Sequence, residues 1–422
     1  MTGMHKKMLG ALLCMLPLTL VADPINPTDL PPHDQVDSAL DRHIIVLNAR
    51  TQLQIEQVNQ RKREMGEYEF TLRGGAAEDY FFQNAKTEGF RDWEIALERP
   101  FRLPNKMFID SEIGAEGLAR GENALGDARH EASRTLLRLW FNWQRERTQV
   151  TQWQQQVDIL GQQATMTEKR IKAGDAPRME LNQVNAATAM ASVALHQTQL
   201  RAELAASELA RQFVAIKLPH DIPTIEPQPV TQELAYWREI ILKHNHELGW
   251  VQAESRILEK LAERARADRM PDPTLGLRYS SQLSGSQKIS GVYVSIPLTS
   301  GLRSANAENA GHAAQIGADR EQALRIRLDG DIYSAYTQAV NAYQIWQQAR
   351  DAALSLRQNA ELVARAYSLG ESSLGETLVA RRQALEASLA ESLTRLDANE
   401  THYRLLLDAH QLWAESDHHE GH

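Results

Sequence analysis

The chain has 422 residues, a formal net charge of −9, a single cysteine and 6% aromatic residues. Its length allows two or three ordinary domains, but Ala, Leu, Gln, Glu and Arg dominate the middle of the chain, which is the makeup of long helices. Acids and bases are interspersed, the pI is near 5.9, and no basic patch offers a footprint for DNA or RNA, so nucleic acid is not an expected partner.

The first elements in chain order form a secretory signal. His5, Lys6 and Lys7 make a basic region, Met8 to Leu20 an apolar one, and Leu20-Val21-Ala22 a small-residue cleavage site. About 13 apolar residues fall short of the roughly 20 that an uncleaved membrane anchor needs, so residues 1–22 are read as a removed signal peptide. Cys14 lies inside it, and a mature chain without cysteine forms neither a disulfide nor a thiolate metal site. Leu13 stands where a lipoprotein would carry a small residue.

Beyond this point the chain repeats itself. Pro27 and Pro31 recur as Pro223 and Pro227, Ala39 as Ala235, Arg42 as Arg238, Ile44 as Ile240, Gly174 as Gly370 and Glu180 as Glu376, all 196 positions on. Scattered matches at one offset predict two copies of one unit. The first is placed at 23–217, a Pro-rich linker at 218–229, the second at 230–415, and a His-rich tail at 416–422.

Each unit reads as a helix, two strands, a long helix, a sharp turn and another long helix. In the first, "EYEFTLR" alternates Tyr68, Phe70 and Leu72 against polar residues, and "DWEIALER" alternates Trp93, Ile95 and Leu97. The hairpin is expected over about 67–99. In the second, Leu275, Leu277 and Tyr279 precede Val292, Val294 and Ile296 around the polar loop "SQLSGSQK", giving a hairpin over about 273–297. Period-two alternation predicts strands with two different faces. Pro100 and Pro297 close the hairpins, since proline cannot continue the ladder.

From about Lys106 to Lys172, and from about Leu302 to Leu369, no strong breaker occurs, and roughly 65 residues of helix would reach about 100 Å. Apolar steps of three, four and seven, through Leu136, Trp140, Trp143, Val150, Val157 and Leu160 and through Leu378, Leu385, Leu389, Leu393, Leu396, Tyr403 and Leu407, predict coiled-coil seams. At the turns Gly174 and Gly370 supply the positive φ that ends a helix. Asp175 is expected to cap the next helix and Pro177 to sit in its first turn.

The mature chain holds no apolar run long enough for a transmembrane helix, so a membrane role requires a closed β-barrel. The strand residues named above would then face lipid. Four strands cannot close alone, and two, three or four copies would each complete a ring; hairpins packed on the helices of a soluble protein remain the alternative.

Together these residues resemble the outer-membrane factor family, the TolC-like exit ducts of tripartite systems in Gram-negative bacteria. The strand-to-helix segments "WEIALERPFRLPNK" and "VYVSIPLTSGLRSANAENA" and the paired turns carry the likeness, which spans nearly the whole mature chain. The resemblance implies a mainly α fold with a small β part: duplicated long antiparallel helices plus two β-hairpins, assembling as a homotrimer. A twelve-stranded barrel in outer-membrane lipid would continue into an α-helical periplasmic tunnel. It further implies that Gly174, Asp175, Pro177, Gly370 and Glu371 form tips that dock a periplasmic adaptor protein. An inner-membrane pump of the resistance-nodulation-division type would supply the energy.

Glu180 and Glu376 occupy positions where family members often carry an acid, usually aspartate; the further acid sometimes found three positions on is replaced by Gln183 and Val379. Three copies of a glutamate in a narrow pore would raise one another's pKa and select cations, whereas a glutamate near a helix N-terminus is also simply favoured there. The ending "DHHEGH" offers His418, His419 and His422 as metal candidates, or else forms a tail without fixed geometry. It fits the cobalt-zinc-cadmium efflux subgroup, which the chain also resembles; drug efflux, protein export and a soluble periplasmic scaffold remain alternatives. His33, His43, His244 and His246 are read as surface residues. No phosphate loop, HExxH or nucleophile elbow is present, so neither catalysis nor a cofactor is expected.

Overall fold

The computed structural model describes residues 27–413 apart from 67, 84–85, 222 and 299–300, and apart from the side chains of 81–88. The expected signal peptide with Cys14, and the tail with His418, His419 and His422, lie outside the described residues.

The same order of six elements occurs twice. The first set is α1 (His33–Asp41), α2 (Ile44–Met65), β1 (Thr71–Gln83), β2 (Lys86–Pro100), α3 (Pro104–Ala173) and α4 (Arg178–Gln212). The second is α5 (Leu234–His244), α6 (His246–Ala267), β3 (Thr274–Gln282), β4 (Gln287–Ser295), α7 (Gly301–Ser368) and α8 (Leu374–Asp408). α3 has 70 residues and α7 has 68, and at 1.5 Å per residue each spans about 100 Å.

These two helices are the spines of the molecule. α2 and α4 pack one after the other along α3, while α6 and α8 follow one another between α3 and α7. Where the shorter helices meet end to end lies the largest apolar core, built on Leu136, Trp140, Phe141, Leu209, Phe213 and Leu405. Some of its polar atoms are matched: the Trp140 indole donates to the Asp29 carbonyl at 2.8 Å and the Tyr403 hydroxyl to the Asp29 carboxylate at 2.9 Å, whereas the Trp237 and Trp413 indoles have no hydrogen-bond partner among the described residues.

On α8 the expected seam is buried at Leu396, Tyr403 and Leu407, but nearer the tip the buried line differs from it. Ala380, Ala384 and Ser392 are buried, whereas Leu378, Leu385, Leu389 and Leu393 are only half-buried. Ala380 and Ala384 pack on Ala360 of α7, and small side chains let the two axes approach closely; the bulkier leucines are left to the flanks. On α3 the expected seam is buried at Leu136, Trp140, Trp143 and Leu160 and half-buried at Val150 and Val157.

The four strands form one antiparallel sheet in the order β1-β2-β3-β4. Its first strand starts later than alternation predicts: Tyr68 and Phe70 precede β1, and Ile296 follows β4. Tyr68 is instead drawn to the helices, where its hydroxyl donates to Asp272 Oδ2 at 2.9 Å and the Arg102 guanidinium lies 5.5 Å from its ring. The first hairpin is also the longer, with strands of 13 and 15 residues against 9 and 9. β2 pairs with β3 only from Trp93 to Pro100, so the end of the first hairpin overhangs the second.

Candidate membrane face and helical tips

Register puts the apolar strand residues on one face. Leu72 pairs with Leu97, Leu97 with Leu277 and Leu277 with Val292, a row across all four strands. Ile95 pairs with Tyr279 and Leu275 with Val294, and the Trp93 and Tyr279 rings lie 5.6 Å apart on the same side. All are exposed, from 37% at Tyr279 to 68% at Leu72. The other face carries Arg73, Glu94, Glu98, Arg278 and Tyr293, and there Arg73 and Tyr293 both donate to Glu98. One surface therefore suits hydrocarbon and the other water. Among the described residues no helix is long and apolar enough to cross a membrane.

Below the sheet, charges knot the two repeats together. Lys106 at the start of α3 is fully buried, with Nζ 3.0 Å from Asp268 and 2.9 Å from Asp272. Asp110, one turn on, meets Arg102 at 3.0 Å and Arg264 at 2.9 Å. Lys106, Arg102 and Asp110 come from the first repeat and their partners Asp268, Asp272 and Arg264 from the second, except for the local pair Arg102–Asp110. Beside this knot α2, α3 and α6 enclose a polar cavity of about 740 Å³, lined by Arg63, Asp110, Arg120 and Glu254 among others.

At the far end of α3 and α7 the two turns share one geometry. Gly174 has φ +84° and Gly370 φ +82°. The next residue closes the wider bond of a Schellman motif in each case: Asp175 N–H to the Arg170 carbonyl and Glu371 N–H to the Ala366 carbonyl, both 2.9 Å. The starts of the following helices diverge. Asp175 does not cap α4: its amide is engaged in the turn, Pro177 holds the N-cap position with extended backbone, and no side chain caps. α8 opens instead with a capping box, in which Ser373 Oγ accepts from the Glu376 amide and Glu376 accepts from the Ser373 amide at 2.9 Å.

Glu180 and Glu376 are thus not equivalent. The Ser373 amide, with the Ser372 and Ser373 hydroxyls, holds the Glu376 carboxyl below its ordinary range, opposite to the direction a ring of like charges imposes. Glu180 accepts from the Tyr367 hydroxyl at 2.9 Å and lies 3.7 Å from Arg170. Arg170 in turn donates to that hydroxyl and stands 5.0 Å from the ring. Burial and the Glu180 hydrogen bond push the Tyr367 hydroxyl pKa up. This clasp joins α3, α4 and α7, and sequence reading overlooked two of its three members. No local signal marks them, since Tyr367 meets Glu180 across 187 residues of chain.

No family model matches the chain, and no curated protein sequence matches it. Solved structures do. The Campylobacter jejuni outer membrane channel CmeC superimposes with a TM-score of 0.73, covering 91% of this chain and 86% of that one at 14% identity. The Vibrio cholerae outer membrane protein VceC gives 0.71 over 89% and 95% at 17% identity. The open state of the Neisseria gonorrhoeae outer membrane channel MtrE gives 0.65 over 90% and 89%, also at 17% identity. The fold is that of an outer-membrane channel. Within the channel fold, this chain sets its two-faced sheet at one end of the spines and its two Schellman tips at the other.

Proposed function

We propose that the chain is the outer-membrane exit duct of a tripartite efflux system in a Gram-negative bacterium. Three copies close a twelve-stranded barrel, and their helices continue it as a periplasmic tunnel. The observation that carries this reading is the open sheet, which exposes apolar residues on one face while both edge strands, β1 and β4, have no outer partner among the described residues. Lipid tolerates such a sheet only when further copies complete its backbone hydrogen bonds. The likeness to solved channels supports it.

The duct is passive. The tips at Gly174, Asp175, Pro177, Gly370 and Glu371 dock a periplasmic adaptor, through which an inner-membrane pump of the resistance-nodulation-division type delivers cargo. Glu180 and Glu376 line the constriction, with the Arg170–Tyr367–Glu180 clasp holding it narrow. Heavy-metal cations are the proposed cargo, a reading that rests on the His418, His419 and His422 tail.

Planar-bilayer recording of the purified oligomer tests the duct, with a cation-selective conductance expected and a weaker selectivity in Glu376→Ala. Silence under all conditions removes the pore, and unchanged selectivity in the variant removes the glutamate ring. Cargo is tested by deleting the gene: loss of zinc, cobalt or cadmium tolerance with unaltered drug tolerance is expected, and the reverse pattern reassigns the duct to drugs.

A further inference from the structure

Four imidazoles meet where α8 ends and α6 begins. The His410 ring lies 5.2 Å from that of His130 on α3, 5.1 Å from that of His246 on α6 and 6.0 Å from that of His244 at the end of α5. His244 is exposed, as expected of a surface residue, and His246 is half-buried, but nothing in the sequence signals their common neighbour. The site is tightly packed: a side chain at Gly126 would collide with the His246 ring, and the residual cavity is only about 60 Å³.

The backbone at His410 is unusual. Its φ is +56°, in the left-handed region, and the bonds His410 N–H to the Leu407 carbonyl (3.0 Å) and Gln411 N–H to the Leu406 carbonyl (2.8 Å) repeat the Schellman pattern of the two tips. Gly174 and Gly370 fill that position at the tips, where glycine carries no penalty. Here a histidine fills it, and its side chain is directed into a nest of other histidines.

We propose that the His130–His244–His246–His410 cluster is a proton-sensitive clamp that holds the end of α8 against α3 and α6 when neutral and releases it on acidification. Rings 5 to 6 Å apart pack well uncharged, and adding protons places like charges side by side. Each packed element presents charged neighbours. α3 brings Asp127, Arg129, Glu131 and Arg134, α6 brings Glu247, α8 brings Arg404 and Asp408, and α1 reaches in through Asp37 and Asp41, which pair with Arg129.

Of these, Asp408 bears directly on the cluster, accepting from His130 at 3.2 Å and from Arg134 at 2.9 Å and Arg404 at 3.0 Å. Burial opposes its ionisation, but these three partners hold it well below the usual carboxylate range, so it stays charged through mild acid and already has its cations. Burial first, then the charges of His130, His246 and His244, push His410 down to about 4 against 6.5 for a free imidazole.

The sign follows. A histidine whose folded pKa is depressed adds its full stability above about pH 6.5 and loses it as the pH falls towards 4. Between pH 7.5 and 5.0 the two values favour local opening by about 30-fold. The corresponding junction of the first repeat has no such cluster among the described residues: His43 there stacks on Phe213 at 4.9 Å. The cluster is not arranged as a metal centre: among the described residues no three His, Cys, Asp or Glu side chains are placed to hold an ion.

Hydrogen exchange of the detergent-solubilised full chain, corrected for intrinsic rates, tests the clamp. Protection of amides in 405–413 should fall by about 30-fold between pH 7.5 and 5.0 in the wild type. It should change less than about threefold in His410→Gly, which also relieves the positive φ, and in His410→Asn, which tolerates it. His43→Asn should leave the 405–413 response intact. A wild-type segment equally protected at both pH values overturns the proposal, as does an unchanged response in both His410 variants. A rise in protection at pH 7.5 on adding zinc, abolished in His410→Asn, also overturns it and makes the cluster a metal site.

Discussion

At the tips, single residues decide what each turn can do. Gly174 and Gly370 end their helices with nearly identical left-handed backbones, but Ser373 makes α8 self-capping while Pro177 leaves α4 without a side-chain cap. Glu376 is accordingly engaged by its own helix, and Glu180 by Tyr367 and Arg170. Replacing Tyr367 by Phe removes the hydroxyl that bridges them. It should cost about 1 kcal/mol of stability and raise open probability in single-channel recordings; unaltered gating would leave the clasp a purely structural contact. The helix-ending glycines were legible in the sequence because helix ends carry local signatures. The clasp was not, because Tyr367 meets Glu180 across 187 residues of chain. His43 illustrates the same limit: read as a surface residue, it is buried, and burial lowers its pKa.

At the level of elements, alternation located the four strands but ran past their ends at Tyr68, Phe70 and Ile296. It gave no sign of residues 74–79, "GGAAED", which continue β1 through small and acidic side chains. Register against β2 carries that segment as a strand, and register is invisible until the partner is known. The row Leu72–Leu97–Leu277–Val292 is the sharpest test of the lipid-facing reading. Leu277→Arg should destabilise membrane insertion by about 2–4 kcal/mol if the row faces the bilayer midplane, measured as loss of the heat-stable oligomer from outer-membrane fractions. Normal insertion would place that face away from lipid. The helices were easier to read, although their seams were placed on leucines where α7 and α8 meet through alanines.

For the whole molecule, the duplication is the organising fact, and the sequence showed it through a constant offset. What the offset could not show is how the copies are joined. Lys106 and Asp110 of the first repeat are tied to Asp268, Asp272 and Arg264 of the second, so the junction between sheet and helices is shared by both halves. Lys106→Met removes the buried cation shared by Asp268 and Asp272, leaving Arg264 on the first and the Tyr68 hydroxyl on the second, and should lower stability by about 3 kcal/mol. Urea unfolding would measure it, and a loss below about 1 kcal/mol would show that water already screens the pair.

The unequal hairpins have one more consequence. Residues 86–92 of β2 extend past the last pair with β3, a reach of about 24 Å at the rise of an extended strand. The last pair of the first hairpin, Gln83 with Lys86, and the Leu283–Gly285 turn of the second lie at the end of the sheet away from the helices. In the proposed trimer three prongs would therefore crown the rim of the duct on the cell's outer side. They would be the first part of the protein to meet an antibody or a phage, and would offer a handle for labelling living cells without touching the conduit.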